Sequence, residues 1–140
     1  MYHLHIAAVG KTKEAWLEEA CQEYMKRLSK KMQITCTWYK TDAQLTAALT
    51  KEKMVICLDP AGKLMNSEQF SDYLVKALET GGSHLTLAIG GPDGLPQEVL
   101  SHYPRVSLSP LTMTHQIVRV VLFEQLYRAM EIASGSPYHK

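Results

Sequence analysis

The chain has 140 residues, 46% of them apolar and 21% charged, enough for one domain with a sizeable core. A formal net charge of +1 excludes a global basic field for nucleic acid, so any basic surface is local. No apolar run approaches the ~18 residues that span a bilayer, the N-terminus has no evident secretory signal, and Cys21, Cys36 and Cys57 lack metal spacing. They read as reduced thiols of a soluble cytoplasmic protein.

Leu4 to Val9 reads as a first strand, broken by Gly10. About Lys13 to Leu28 reads as a helix, with Trp16, Ala20, Tyr24 and Leu28 at i, i+4 spacing on one face. Gln33 to Tyr39, rich in β-branched and aromatic residues, is a second strand, followed by a short helix over about Asp42 to Lys51. Met54 to Asp59 is apolar on both faces, as in a central parallel strand. Asn66 opens a helix with Gln69 as its capping partner, and Gly81-Gly82 closes it. Phe70, Tyr73, Leu74 and Leu78 give it an apolar face. A fourth strand covers about His84 to Ile89, a short helix Pro96 to His102, and a fifth strand Arg105 to Leu108. A long helix from about His115 to Ala133 and the tail "SGSPYHK" complete the chain.

Strands and helices alternate, which predicts a single α/β domain over residues 1–140, with a parallel sheet and helices on both faces. Ligands bind such sheets beyond the carboxyl ends of the strands. The loops to watch are therefore "LDPAGK", "IGGPDGL" and "SLSPLTMTH".

"AVGKTK" ends like a phosphate-binding loop, but His5 stands where that motif needs its first glycine. "GGPDG" is not a dinucleotide fingerprint: Pro92 falls where free amides are needed, and no acid follows at a distance to hold a ribose. The run is either a tight turn or one wall of a backbone-lined pocket. Lys26, Arg27, Lys30 and Lys31 end the first helix, as a solvated complement to its dipole or as contacts for RNA phosphate. His3 and His5 share one face of a strand but lack a third ligand, so no metal site is expected.

The final helix, "HQIVRVVLFEQLYRAMEIA", is apolar nearly all round. A helix of this kind is covered on more than one side, by a dimer partner or by a wholly intramolecular core. Glu124 is spaced to pair with Arg128, while Arg119 lies near the strand-five loop without an obvious helix partner. Pro137, Tyr138 and His139 combine rigidity, stacking and a titratable ring, either in a frayed end or in a site contributed by the tail.

"IGGPDGL" after a strand, "LSPLTMTHQIVRVVLFEQLYRA" entering the last helix and the ending "PYHK" together resemble the RlmH family of SPOUT methyltransferases. "AAVGKTKEAW…EYMKRL" and "LDPAGK" are similar to the same family, and only Thr41 to Lys53 matches loosely. The resemblance implies a SPOUT fold with a C-terminal trefoil knot, working as a homodimer. General topology rules would discount the knot. It also implies transfer of methyl from S-adenosylmethionine to N3 of a pseudouridine in the helix 69 loop of 23S rRNA, on the assembled ribosome.

Carried onto this sequence, the cofactor site would be Leu58, Gly91, Ser109, Pro110, Leu111, Thr112, Met113 and Thr114. Met113-Thr114 stand where several family members have a proline or serine. A phosphate-free cofactor fits loops without a phosphate motif: backbone groups hold the adenine edge and Leu58, Ile89, Leu108 and Leu111 cover its faces. Gly91 is expected to be small so that its backbone lies against the methyl donor. The candidate catalytic residues are His115, Arg119, Tyr138 and His139. Tyr138 or His139, from the chain's own tail or from the partner's, would orient the base or relay its proton. Arg119 would stabilise an anion or phosphate, and His115 would cap the helix or act chemically. RNA would meet a local patch of Lys26, Arg27, Lys30, Lys31, Arg128 and Lys140. Another RNA target, such as a tRNA, and a non-catalytic ribosome-binding dimer are the competing readings.

Overall fold

The structure, a computed structural model, describes residues 1–140. Five strands, β1 (Tyr2–Val9), β2 (Met32–Tyr39), β3 (Val55–Leu64), β4 (His84–Ile89) and β5 (Arg105–Ser107), form one sheet in the order β2-β1-β4-β3-β5. Every pairing is parallel. The connecting helices are α1 (Ala15–Leu28), α2 (Asp42–Leu49), α3 (Ser67–Thr80), α4 (Gln97–Leu100) and α5 (Ile117–Ala133).

Alternation along each strand feeds two cores. Leu4, Ile6 and Ala8 of β1 pack with Ile56, Leu85, Leu87 and the inner faces of α1, α3 and α5. Ala7, Val55, Cys57 and Ala88 point the other way, against Leu45 and Leu49 of α2 and Leu95 and Val99 around α4. The central strands are buried on both faces, which is why they read as unbroken apolar runs. Burial pushes the Cys21 and Cys57 thiols up to about 11 and Cys36 up to about 12, so all three stay protonated. No helix is long and apolar enough to cross a membrane.

The capping box of α3 forms as the sequence predicts. Asn66 Oδ1 accepts from the Gln69 N–H at 2.8 Å, and Gln69 Oε1 accepts from the Asn66 N–H at 2.9 Å. Three other expectations shift. The buried face of α1 is Leu17, Cys21 and Leu28, and Trp16 stays 58% exposed. The apolar residues of α1 span two faces, and the core takes the one without Trp16. β3 does not end at Asp59. Its register against β5 jumps between Leu58 and Lys63, so Asp59 to Gly62 bulge out and the strand resumes beside Val106 and Ser107. α5 begins at Ile117 rather than His115, because the Thr114 hydroxyl accepts the Ile117 N–H at 3.1 Å and ends the preceding loop there. Within one chain α5 buries a single face, Arg119, Leu122, Phe123, Leu126, Ala129 and Met130, and leaves Ile117 exposed.

Candidate active site

β4 ends at Ile89 and the chain turns at once. A Cβ on Gly90 would lie 2.3 Å from the Gly94 carbonyl carbon, so only glycine fits there. Gly91 to Gly94 close a β-turn, with the Gly94 N–H donating to the Gly91 carbonyl at 3.0 Å. Pro92 presets the second position, and the Gly94 φ of +79° carries the chain out again. Gly91, the glycine the sequence singles out, is less constrained. A Cβ there would meet Val9 Cγ1 at 3.5 Å, an ordinary contact. The closest packing within the protein is thus turn against turn at Gly90, and Gly91, with room for a Cβ against Val9, lines the cleft.

The turn forms one wall of a cleft of about 190 Å³ at the carboxyl ends of β4 and β5 and the bulge of β3. Leu58, Asp59 and Pro60 from the β3 bulge form a second wall. The third is the β5–α5 connection, contributing Leu108, Ser109, Leu111, Thr112, Met113 and His115, with Val118 from the first turn of α5. Serines shape this connection. The Ser107 hydroxyl donates to the Ser109 carbonyl at 2.9 Å, and the Ser109 hydroxyl accepts the Leu111 N–H at 3.0 Å. Ser109 to Met113 form no backbone–backbone hydrogen bonds, so most of their main-chain donors and acceptors have no protein partner. Leu111 is 74% exposed at the rim.

Of the expected cofactor residues, Leu58, Gly91, Ser109, Leu111, Thr112 and Met113 line this cleft, whereas Pro110 and Thr114 do not. Pro110 is exposed, and Thr114 holds the start of α5. Asp59, Pro60, Gly90, Pro92, Gly94, Ser107 and Val118 also line it. All but Val118 flank the singled-out residues in the same loops. Val118 stands one helical turn beyond Thr114, a spacing that could have found it.

The four residues singled out for chemistry part company. His115 is on the cleft wall, and its pKa is held below the ordinary histidine value by burial first, then by Arg119 and Lys13. Arg119 is absent from the lining and fully buried. Its guanidinium donates to the Val9 carbonyl at 3.1 Å, the Gly10 carbonyl and the Thr12 hydroxyl at 2.9 Å, and stacks 4.4 Å from the Trp38 ring centre. That geometry corrects the expectation that Arg119 faces a reacting group: it clasps the loop after β1. Gln116, which sequence reasoning passed over, ties the same loop to α5 by accepting from the Lys13 N–H and donating to the Lys11 carbonyl, both at 3.1 Å.

The tail packs far from this cleft in its own chain. The Tyr138 hydroxyl donates to Glu124 Oε2 at 3.0 Å, its ring meets Tyr127 edge-on at 4.8 Å, and the Arg128 guanidinium sits 4.9 Å above it. His139 lies 3.0 Å from Arg128 and bonds Glu68 at the start of α3. Arg128 is ten residues past Val118 on α5, or about 15 Å along the axis at ~1.5 Å per residue. The spaced pair Glu124–Arg128 forms with two bonds, at 3.0 and 3.1 Å. In the basic cluster, Arg27 pairs with Glu23 and Lys31 with Glu131, while Lys26 and Lys30 are exposed.

Residues 2–139 match the family model described as "Predicted SPOUT methyltransferase". The chain is 53% identical to the ribosomal RNA large subunit methyltransferase H of Protochlamydia amoebophila, over the whole of both chains. It is 41% identical to the protein of the same name from Clostridium botulinum strain Okra, over 99% of each. Among solved structures it is similar in fold to a methylase family protein from Haemophilus influenzae, with a TM-score of 0.57 and 14% identity over 98% of this chain and 70% of that one. It is also similar to a methyltransferase from Legionella pneumophila solved with bound cofactor SAM, with a TM-score of 0.52 and 12% identity over 92% and 66%.

Proposed function

The chain belongs to the SPOUT methyltransferase family, and we propose that it methylates N3 of a pseudouridine in the helix 69 loop of 23S rRNA, on assembled ribosomes in the cytoplasm. The observation that carries this reading is the cleft lined by the aliphatic side chains of Leu58, Ile89, Leu108 and Leu111 and edged by the main chain of Ser109 to Met113, which has no backbone partner. Such a lining suits S-adenosylmethionine, which has adenine faces and edges to cover but no phosphate. When bound, it supplies a methyl group on a positively charged sulfur. Leu58, Ile89, Leu108 and Leu111 cover the ring faces, and the main chain of the β5–α5 connection pairs with the ring edge. Asp59 adds a carboxylate of the sign that complements a sulfonium. The trefoil knot expected of the fold belongs to the same reading.

The working unit is a homodimer. Trp16 is 58% and Ile117 37% exposed, apolar residues of α1 and α5 that a single chain leaves outside its core. Pairing through these helices covers the second side of α5 and brings the tail of one chain to the cleft of the other. Tyr138 and His139 act there on the acceptor base. RNA is met locally by Lys26, Lys30 and Lys140, whose charges are not paired with acids.

Labelled methyl transfer to ribosomes lacking this modification, followed by mapping of the methylated nucleotide, tests the proposal. Label at N3 of the helix 69 pseudouridine is expected. Label in a tRNA, or cofactor binding without transfer, would replace the reading with another target or a non-catalytic role. Removing Pro137 to Lys140 should lower turnover at least ~10-fold by losing acceptor orientation, and full activity would remove the tail from the mechanism. Sedimentation should show a dimer that Trp16→Asp converts to monomer.

A further inference from the structure

The side-chain amide of Gln116 has an orientation fixed by the main chain. Its Oε1 accepts from the Lys13 N–H, and its Nε2 donates to the Lys11 carbonyl. A backbone N–H only donates and a carbonyl only accepts, so the reversed amide would oppose donor to donor and acceptor to acceptor. The Nε2 fixed in this way lies 3.2 Å from His115 Nε2. An amide nitrogen has no lone pair to offer, so the imidazole nitrogen facing it must be the acceptor. A ring that accepts at Nε2 carries its one proton on Nδ1.

We infer that His115 is a neutral hydrogen-bond donor, through Nδ1–H, to a charged or polarised oxygen in the cleft, and that Gln116 is the positioning residue that selects this tautomer. The inference deepens the methyl-transfer reading and rests on it. His115 is then not the group that takes the N3 proton, because Nε2 is occupied by Gln116 and Nδ1 is already protonated. Burial and the cations of Arg119 and Lys13 act in the same direction, disfavouring the imidazolium. Two oxygens of suitable chemistry enter such a cleft. One is the carboxylate of the methyl donor. The other is a ring carbonyl of the acceptor base, which gains charge as N3 loses its proton. A preformed donor stabilises either without reorganising.

Long-range proton–nitrogen spectra of the full-length protein with labelled histidine read the tautomer directly. His115 should show a protonated Nδ1 and a bare Nε2 at neutral pH, its signals identified by their absence from His115→Asn. In Gln116→Leu the pattern should change toward the Nε2–H form that free imidazole prefers. An Nε2–H or doubly protonated ring in the unmutated protein would overturn the inference.

Activity supplies the second arm. His115→Ala should cost ~10- to 100-fold, the value of a hydrogen bond to a charged acceptor. His115→Asn, whose amide nitrogen stands near the place of Nδ1, should recover most of it. A loss in S-adenosylmethionine affinity assigns the oxygen to the cofactor, and a loss in kcat at saturating cofactor assigns it to the base. An alanine variant impaired in neither, or an asparagine variant no better than alanine, would overturn the donor role. Failure of the unmutated protein to methylate ribosomes would count against the proposed function and leave the tautomer result standing.

Discussion

The sheet has a cleft at each end of its strands. At the carboxyl ends the walls are Leu58, Ile89, Leu108 and Leu111, and the main chain of Ser109 to Met113 has no backbone partner. At the amino ends a cavity of about 230 Å³ is lined by polar side chains, among them His3, His5, Thr35, Glu52 and His84. The three histidines among them are already engaged. The His3 and His84 rings stack 4.7 Å apart at 11°, and His5 reaches Thr37 at 2.8 Å and Glu52 at 3.3 Å. Side-chain inventory alone would choose the amino end as the site of chemistry. What distinguishes the carboxyl end is the polar capacity it leaves uncommitted, held in place by a rigid turn.

The sharpest way to break the contrast is at the turn. Gly90→Val should abolish cofactor binding and lower stability by ~3 kcal/mol, because its Cβ would sit within the Gly94 backbone. Gly91→Ala should keep stability near its original value, since its Cβ would touch only Val9 within the protein. Urea unfolding separates the two, and an equal loss of stability would mean that Gly91 packs as tightly as Gly90. Titration calorimetry on Gly91→Ala tests whether its backbone lies against the methyl donor, and unchanged binding would reduce it to a turn residue. Next comes Arg119→Met, expected to lose ~3 kcal/mol by leaving the carbonyls of Val9 and Gly10 without their donor. Urea midpoints measure it, and a loss of activity at unchanged stability would return Arg119 to the chemistry. Leu111→Ala should weaken cofactor affinity by about 1 kcal/mol, ~5-fold, while shifting stability by less than ~0.5 kcal/mol because the side chain is 74% exposed.

At the amino end the expected effects are smaller. Combined His3→Leu and His5→Leu should leave methyl transfer unchanged, and a large fall would mean that this cavity serves the reaction. The smallest effect is one of pH. His115 is harder to protonate folded than unfolded, so between its depressed folded pKa and its ordinary value of 6.5 the unfolded chain binds more protons. Stability therefore falls as pH drops through that window. His115→Asn should flatten this part of the curve, and an unchanged slope would mean that the ring is not shielded from protonation.

The layering was legible because strand–helix alternation and doubly apolar strands have one economical solution, a parallel sheet between helices. The cap at Asn66 and the pair Glu124–Arg128 were legible because their partners are three and four residues apart. The three cleft loops were legible as punctuation after strands. Which glycine admits no side chain was not, since the collision at Gly90 depends on where Gly94 returns in space. The bulge at Asp59 depends on register against β5, which local pattern does not encode. Which stripe of α1 is buried was not legible, because a helix with apolar residues on two faces gives no sign of which the core will claim. His115 could be marked but not given a protonation state, because the amide that sets it is itself oriented by Lys11 and Lys13, more than a hundred residues earlier.

The clasp of Arg119 on the first loop spans 109 and 110 positions of sequence. During synthesis, β1, α1 and β2 can associate while the carbonyls of Val9 and Gly10 still face water. The loop acquires its final partner only after α5 has emerged and docked. Val9, which supports the glycine turn, and His115, which faces the cleft, are therefore set by the same late event. Contacts this distant in the chain slow folding. In a growing polypeptide they also keep the pocket from closing until most of the domain exists, so truncated translation products would lack a finished methyl-donor site.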